Sequence, residues 1–243
     1  MRDAPGHRRF AARLLGVALL LAAARAGAGG LGVSPILLEF DARSPAQALW
    51  LRNAGAQPLR GQLRAFAWTQ ESGEDHLTPT RELVLSPPML ELEAGQQQLV
   101  RVIRTGAYPD HEQAYRILVN ELPASAENGH QGLNFVMEFS VPVFVGGRGA
   151  PALDWSLRAD GGARLGVRNS GSTRAQLSEL TLLDAAGGTL LQQPGLLGYA
   201  LAGQARQWPL SLTPQALAAV RTLEVRLNGE RVRADLRAHD SAP

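Results

Sequence analysis

The chain has 243 residues, an apolar content of 45% and no cysteine. It can therefore bury a substantial core, but disulfides, thiolate metal sites and cysteine nucleophiles are excluded. All 24 basic residues are arginine, which also excludes chemistry that needs a lysine, such as the Walker-type phosphate lysine.

The first 28 residues have the pattern of a secretory signal peptide. Several arginines precede an apolar run over residues 14–24, and this run is too short to span a membrane. Small residues follow, so we expect cleavage after Ala26 or Ala28. Without the leader the chain keeps 19 arginines against 21 acidic residues. This balance gives no indication of a nucleic-acid partner or of membrane insertion.

From residue 33 onward, short apolar runs separated by turn residues predict β-structure with little helical periodicity. About seven strands in the first part of the chain are typical of an immunoglobulin-like β-sandwich. The predicted strands include Ala48–Leu51, Leu59–Trp68, Leu83–Leu85, Gln98–Ile103, Tyr115–Leu122 and Leu133–Val145.

The glycine-rich stretch 146–151 is the clearest domain boundary, because glycine permits hinge conformations and Pro151 stiffens the exit. A second set of strands follows, and Asn228-Gly229 predicts a type I′ hairpin turn. We therefore predict an all-β chain with two immunoglobulin-like sandwiches in a boomerang-like arrangement. Its expected parts are a signal peptide (1–28), an N-terminal domain (29–146) and a C-terminal domain (151–240). The predicted strands of the second domain are Leu153–Leu157, Ala163–Asn169, Gln176–Leu183, Thr189–Gln192, Arg206–Leu212, Arg221–Leu227 and Arg231–Leu236, with one short helix at Thr213–Val220.

The two predicted domains share a short sequence echo. Residues 51–55 (Leu-Arg-Asn-Ala-Gly) resemble residues 167–171 (Val-Arg-Asn-Ser-Gly). Two related domains would explain this similarity, and so would chance likeness between two strand-to-turn corners.

Residue patterns for catalysis are absent from the sequence. The histidines have no metal-ligand spacing, and neither H-E-x-x-H nor G-x-S-x-G occurs. We therefore expect no catalytic residues, no metal and no cofactor, and we predict that the protein is not an enzyme.

The most informative segment is an alternating apolar strand. Leu133, Phe135, Met137 and Phe139 occupy every second position, so a strand places them on one face. Periodicity alone favours packing of this face in the protein's own core. An alternative is β-augmentation, in which the strand is lent to an incomplete partner.

Several short motifs lie in order along both predicted domains. They are Ser86-Pro87-Pro88, Leu92–Gln96, Leu99–Val102, Tyr115–Pro123 and Leu133–Val145, followed in the second domain by Asn169–Gly171 and Tyr199–Trp208. In this order they resemble the periplasmic PapD-like chaperones of the chaperone–usher pathway. The motifs in the second domain resemble the archaic, spore-coat-U-type branch of that family.

The resemblance implies a chaperone that binds pilus subunits lacking their last strand and delivers them to an outer-membrane usher. The seventh strand would fill the subunit's groove, with Leu133, Phe135, Met137 and Phe139 in successive pockets. The implied location is the Gram-negative periplasm. When no subunit is bound, self-association could cap the strand instead.

One feature departs from the family. Its well-studied branch holds the subunit's terminal carboxylate with an arginine in the first strand and a lysine in the seventh. Here the first-strand position falls near Leu37, and the chain has no lysine. Arginine can bind a carboxylate through two parallel hydrogen bonds. Our candidates are Arg101 and Arg116, on strands expected beside the cleft.

The alternative function is an exported two-domain pilus subunit or adhesin. Such proteins carry an N-terminal donor extension and an incomplete C-terminal domain. This sequence predicts a first strand soon after the leader and a closing pair of strands, which favours the chaperone.

Overall fold

The computed structural model describes residues 30–122 and 137–236. Strands dominate both parts, which confirms the all-β prediction. Within the described residues, no helix is long and apolar enough to cross a membrane. The strands before the glycine-rich stretch are β1 (Leu31–Ser34), β2 (Leu38–Phe40), β3 (Ala46–Asn53), β4 (Leu59–Glu71), β5 (Glu74–Pro79), β6 (Leu83–Ser86), β7 (Met89–Leu92), β8 (Gln97–Arg104), β9 (Gln113–Leu122) and β10 (Glu138–Val145).

The first ten strands form two sheets packed face to face. One sheet has the order β1-β3-β8-β6, and the other has the order β2-β10-β9-β4, with β5 and β7 both pairing with β4. Their inner faces share one core, in which Leu49, Val100, Ile117 and Val143 are fully buried. Burial alternates along most strands, because successive side chains of a strand point to opposite faces. The sequence therefore forms a sandwich, as predicted.

A second sandwich follows the glycine-rich stretch. Its sheets have the orders β11-β12-β15 and β14-β13-β16-β17, and they enclose a separate apolar core. The hairpin at Asn228-Gly229 is confirmed: both residues have positive φ, as a type I′ turn requires. The elements are β11 (Leu153–Arg158), β12 (Arg164–Asn169), β13 (Ala175–Leu183), β14 (Thr189–Ala200), β15 (Ala205–Pro209), α1 (Pro214–Ala219), β16 (Thr222–Leu227) and β17 (Glu230–Asp235).

The sequence echo corresponds to the same hydrogen-bonded corner in both sandwiches. The buried Asn53 amide donates to Gln57 O at 2.7 Å and Leu92 O at 3.0 Å, and its Oδ1 accepts from the N–H of Gly55 at 2.8 Å. Asn169 is equally buried and repeats this set. It donates at 2.8 and 3.0 Å to two carbonyls and accepts from the N–H of Gly171 at 3.0 Å. The two corners are therefore structurally equivalent.

The β4–β5 hairpin holds the two sandwiches together. Buried Gln70 donates through Nε2 to Tyr199 O at 2.7 Å and accepts through Oε1 from the N–H of Leu201 at 2.9 Å. At the hairpin turn, Gly73 O accepts from the N–H of Gln207 at 2.9 Å. The second sandwich thus covers one end of the sheet that contains β4, β9 and β10.

Gly146 of the link adopts φ +83° and has no room for a side chain. A Cβ added there would lie 2.7 Å from Pro109 Cγ. Glycine is therefore required at this position by both backbone conformation and packing. The predicted domain boundaries themselves stay predictions.

Candidate partner-binding strand and cleft

Strand β10 has one paired edge and one largely open edge. It pairs antiparallel with β9 along its whole length, from Glu138 opposite Asn120 to Val145 opposite Gln113. On the other side, β2 pairs only with residues 143–145. Within the described residues, the outer edge of β10 over 138–142 has no strand partner. An open edge of this kind offers free N–H and C=O groups to an added strand.

The orientation of β10 explains why Pro142 is tolerated there. Met137 O accepts from the N–H of Glu121 in β9 at 2.9 Å, so by alternation the backbone groups of Phe139 and Val141 also point to β9. The backbone groups of Glu138 and Ser140 then point to the open edge, as does the nitrogen of Pro142. A proline has no N–H to donate, so it fits this edge.

Two of the four predicted donor residues lie within the described chain. Phe139 is half-buried against the core of the first sandwich. Met137 is on the same side by alternation and is 45% exposed. The apolar stripe of β10 therefore runs from the buried core to an exposed position at the end of the sandwich. Leu133 and Phe135 would continue it, but both lie outside the described residues.

Arg116 lies in an aromatic cluster between the sandwiches. Its guanidinium carbon is 3.8 Å from the centre of the Trp68 ring and 5.8 Å from that of Tyr199. Burial lowers its pKa, since the cation loses hydration. No carboxylate lies within 4 Å of it among residues 30–122 and 137–236. The Trp68 Nε1 group, which is buried, likewise has no acceptor there. The cluster thus holds a partly buried cation without a carboxylate partner and a buried N–H without an acceptor among the described residues.

Arg101 does not share this position. It lies on β8, in the other sheet, and its side chain is exposed on the outer face opposite Ala48 and Ser86. The structure thus places Arg116 opposite the open end of β10 and Arg101 on the other sheet. The role of either arginine as a carboxylate anchor stays a prediction. Residue spacing defines which side of a strand faces outward, but it does not define which sheet the strand joins.

A further ionic cluster, which no sequence pattern predicts, lies at the joint between the sandwiches. Arg174 contacts Glu39, and its Nη1 lies 2.6 Å from Glu112 Oε2; its guanidinium carbon is 3.8 Å from the centre of the Phe144 ring. The Glu112 side chain is only 4% exposed. Burial, together with the neighbouring Glu39 carboxylate, raises its pKa despite the opposing effect of Arg174. These residues come together only in three dimensions, so no spacing could reveal them.

Residues 30–149 match the family described as pili and flagellar-assembly chaperones, PapD N-terminal domain. This part of the chain is therefore a PapD-like chaperone domain. This confirms the resemblance found in the motifs. The family is one of chaperones and not a class of enzymes.

A known chaperone is similar to the chain over much of its length. The chaperone protein FimB/FhaD of Bordetella pertussis is 27% identical over 166 residues. The match covers 63% of this chain and 66% of the relative, slightly under two thirds of its length.

Solved chaperone structures share the fold of this chain. A complex of CsuC with the tip subunit CsuE, from archaic Csu pili of Acinetobacter baumannii, matches with a TM-score of 0.67 and 24% identity, covering 86% of this chain and 99% of the other. The SafB chaperone, solved with the SafA pilin of Salmonella enterica, matches with a TM-score of 0.60 and 18% identity, covering 85% and 96%. The archaic branch expected from the sequence is thus represented among the similar structures.

Proposed function

We propose that this PapD-like chaperone captures pilus subunits by adding a strand to their incomplete sandwich. The open edge of β10 over residues 138–142 carries the proposal. Backbone groups at this edge would hydrogen-bond to the subunit, and the side chains of Leu133, Phe135, Met137 and Phe139 would fill its groove. The exposure of Met137 supports this role, because an apolar side chain at an open edge otherwise promotes aggregation.

The point at which β2 begins to pair with β10 limits where an added strand can lie. A strand running beside β10 must stop where β2 begins to pair, at Val143. Pro142, the last open position, is directly opposite Arg116 on β9. A subunit strand parallel to β10 would therefore end close to Arg116. We propose that Arg116 binds the terminal carboxylate, with Trp68 Nε1 as a second donor. A desolvated cation without a counter-ion gains most from such a partner.

Export and delivery complete the proposal. The predicted leader over residues 1–28 supports a periplasmic location. The loaded chaperone would then pass its subunit to an outer-membrane usher. The structural relatives solved with a pilin or a tip subunit make capture of such a subunit the simplest role for this fold.

Co-purification of a subunit with chaperone variants tests the proposal. The chaperone is co-expressed with small pilins of its own genome, each in turn, and isolated through an affinity tag. We expect Met137→Asp to abolish recovery of the pilin, because an aspartate would enter an apolar pocket. Arg116→Gln should reduce recovery at least about tenfold, as expected for the loss of one partner of a desolvated charge pair. Recovery of pilin at the wild-type level with Met137→Asp would contradict donation by this strand.

Two matched controls separate these roles from general damage. Leu196→Asp also places an acid at an exposed apolar position, but in the second sandwich. Arg64→Gln removes another arginine that lies over an aromatic ring of the same sheet, 5.5 Å from the centre of Phe66. Both controls should retain pilin. Loss of pilin with Arg64→Gln equal to that with Arg116→Gln would contradict the specific role of Arg116.

A further inference from the structure

We propose a second interaction surface on the first sandwich, formed by the outer face of the sheet β1-β3-β8-β6. It recognises an extended segment in which acidic and apolar residues alternate at every second position. This surface, the Trp50 face, is defined by Trp50, Arg52, Val84, Leu99, Arg101 and Ile103. It belongs to the opposite sheet from β10, so it is separate from the donor strand.

Large apolar side chains are exposed together on the Trp50 face. Trp50 is 43% exposed and lies directly opposite Leu99, which is 38% exposed. Val84 is 43% exposed and lies opposite Ile103 on the neighbouring strand pair. Single exposed apolar residues need no explanation, but adjacent ones that include a tryptophan mark interaction sites.

The pairing of β3, β8 and β6 arranges the side chains of the Trp50 face in rows that alternate between charged and apolar. Arg52 pairs with Gln97, and the next outward row is Trp50 with Leu99. Arg101 forms the third row, and Ile103 with Val84 forms the fourth. Outward rows are about 6.8 Å apart, two residues along a strand. The face therefore presents a charged, an apolar, a charged and an apolar row in sequence.

The charge of these rows has one sign. Arg52 and Arg101 have no carboxylate within 4 Å among the described residues. The outward positions of the four strands hold no acidic side chain: they are Gly32, Ser34, Ala46, Ala48, Trp50, Arg52, Val84, Ser86, Gln97, Leu99, Arg101 and Ile103. The arginines are thus available to acids from outside the sandwich.

Charge and spacing together define the occupant. An extended segment repeats its side chains on one face every second residue, also about 6.8 Å apart. Acidic residues at alternate facing positions would meet the arginine rows, and apolar residues between them would cover Trp50 and Ile103. A second copy of this chain, packed face to face, would instead bring arginines toward arginines, and like charges placed together are unfavourable.

A synthetic peptide tests the Trp50 face with the full mature chain. The probe is fluorescein-labelled Asp-Thr-Leu-Thr-Asp-Thr-Leu-Thr with blocked ends, and fluorescence anisotropy measures its binding. We expect saturable binding with a Kd below about 1 mM. The same peptide with lysine in place of aspartate should bind at least about tenfold more weakly, since opposite charges steer and orient this contact. Equal binding of both peptides, or of neither, would overturn the proposal.

Charge reversal gives the sharper comparison. The double variant Arg52→Glu/Arg101→Glu should bind the aspartate peptide at least about tenfold more weakly than the wild type does. It should bind the lysine peptide more tightly than the wild type does. Its control, Arg231→Glu/Leu196→Ser, changes an exposed arginine and an exposed leucine of the second sandwich and should bind like the wild type. Unchanged preference after reversal would overturn the proposal. Loss of aspartate-peptide binding in the variant Phe135→Asp would also overturn it, because the peptide would then occupy the strand and not the Trp50 face. A dimer that is seen in analytical ultracentrifugation and that Trp50→Ser dissociates would overturn it as well.

Discussion

Arg101 and Arg116 illustrate what a single residue's position depends on. Both lie on strands that the sequence predicts, and both point away from the core, as alternation requires. They nevertheless lie on different sheets, one exposed to solvent and one enclosed by Trp68 and Tyr199. The pairing order of strands decides this difference, and pairing order is not encoded in the period of any one strand.

The two buried asparagines give a prediction at the scale of single residues. Replacing Asn53 or Asn169 by alanine removes three or more hydrogen bonds and leaves backbone groups unpaired in the interior. We expect each variant to lose about 3 kcal/mol of unfolding free energy, measured by urea denaturation.

Asn120→Ala is the matched control for these corners, because the side-chain hydrogen bonds of Asn120 are exposed. It should change the unfolding free energy by about 0.5 kcal/mol or less. Losses below about 1 kcal/mol for both buried asparagines would contradict the equivalence of the two corners as structural supports.

At the scale of elements, the sequence predicts strands well where one face is buried. β3, β4, β8 and β9 all alternate, and each agrees with its predicted segment to within a few residues. β5 was missed because all six of its residues are exposed, so burial leaves no apolar pattern in its sequence. Its turn, Ser72-Gly73, has positive φ at both residues and forms a tight hairpin.

The proposed donor strand shows a second limit of sequence patterns. Alternation predicts a strand over Leu133–Val145, and the structure describes it from Glu138 onward. A core strand and a lent strand have the same period, so alternation does not distinguish them. The open edge over 138–142 and the exposed Met137 support the proposal that the strand is lent to a partner.

At the scale of the whole molecule, the joint between the sandwiches depends on charged groups in a poorly hydrated place. The Arg174 backbone N–H and its Nη1 both donate to Glu112, at 2.7 and 2.6 Å. Glu39 contacts the same guanidinium and is mostly exposed. The joint is therefore held by one partly buried cation, a buried carboxylate and an accessible one.

This arrangement predicts a pH dependence. Because burial raises the pKa of Glu112, the folded state favours the protonated carboxyl. The stability that the protonated Glu112 carboxyl contributes is therefore fully present below the ordinary glutamate pKa. It is lost as the pH rises through the raised pKa that Glu112 has in the folded state. Glu112→Gln removes this titration, so the wild type should lose stability relative to the variant between pH 4 and pH 7. Thermal unfolding of both proteins across that range measures it. A wild type that gains stability relative to Glu112→Gln as pH rises would show that the Arg174 ion pair dominates instead.

Hydrogen exchange on a purified chaperone–subunit complex, resolved by NMR, tests strand donation most directly. The amides of Phe139 and Val141 point to β9 and should exchange slowly with and without subunit. The amides of Glu138 and Ser140 point to the open edge, and subunit binding should slow their exchange at least about tenfold. A bound subunit that leaves the Glu138 and Ser140 amides unprotected would contradict the account.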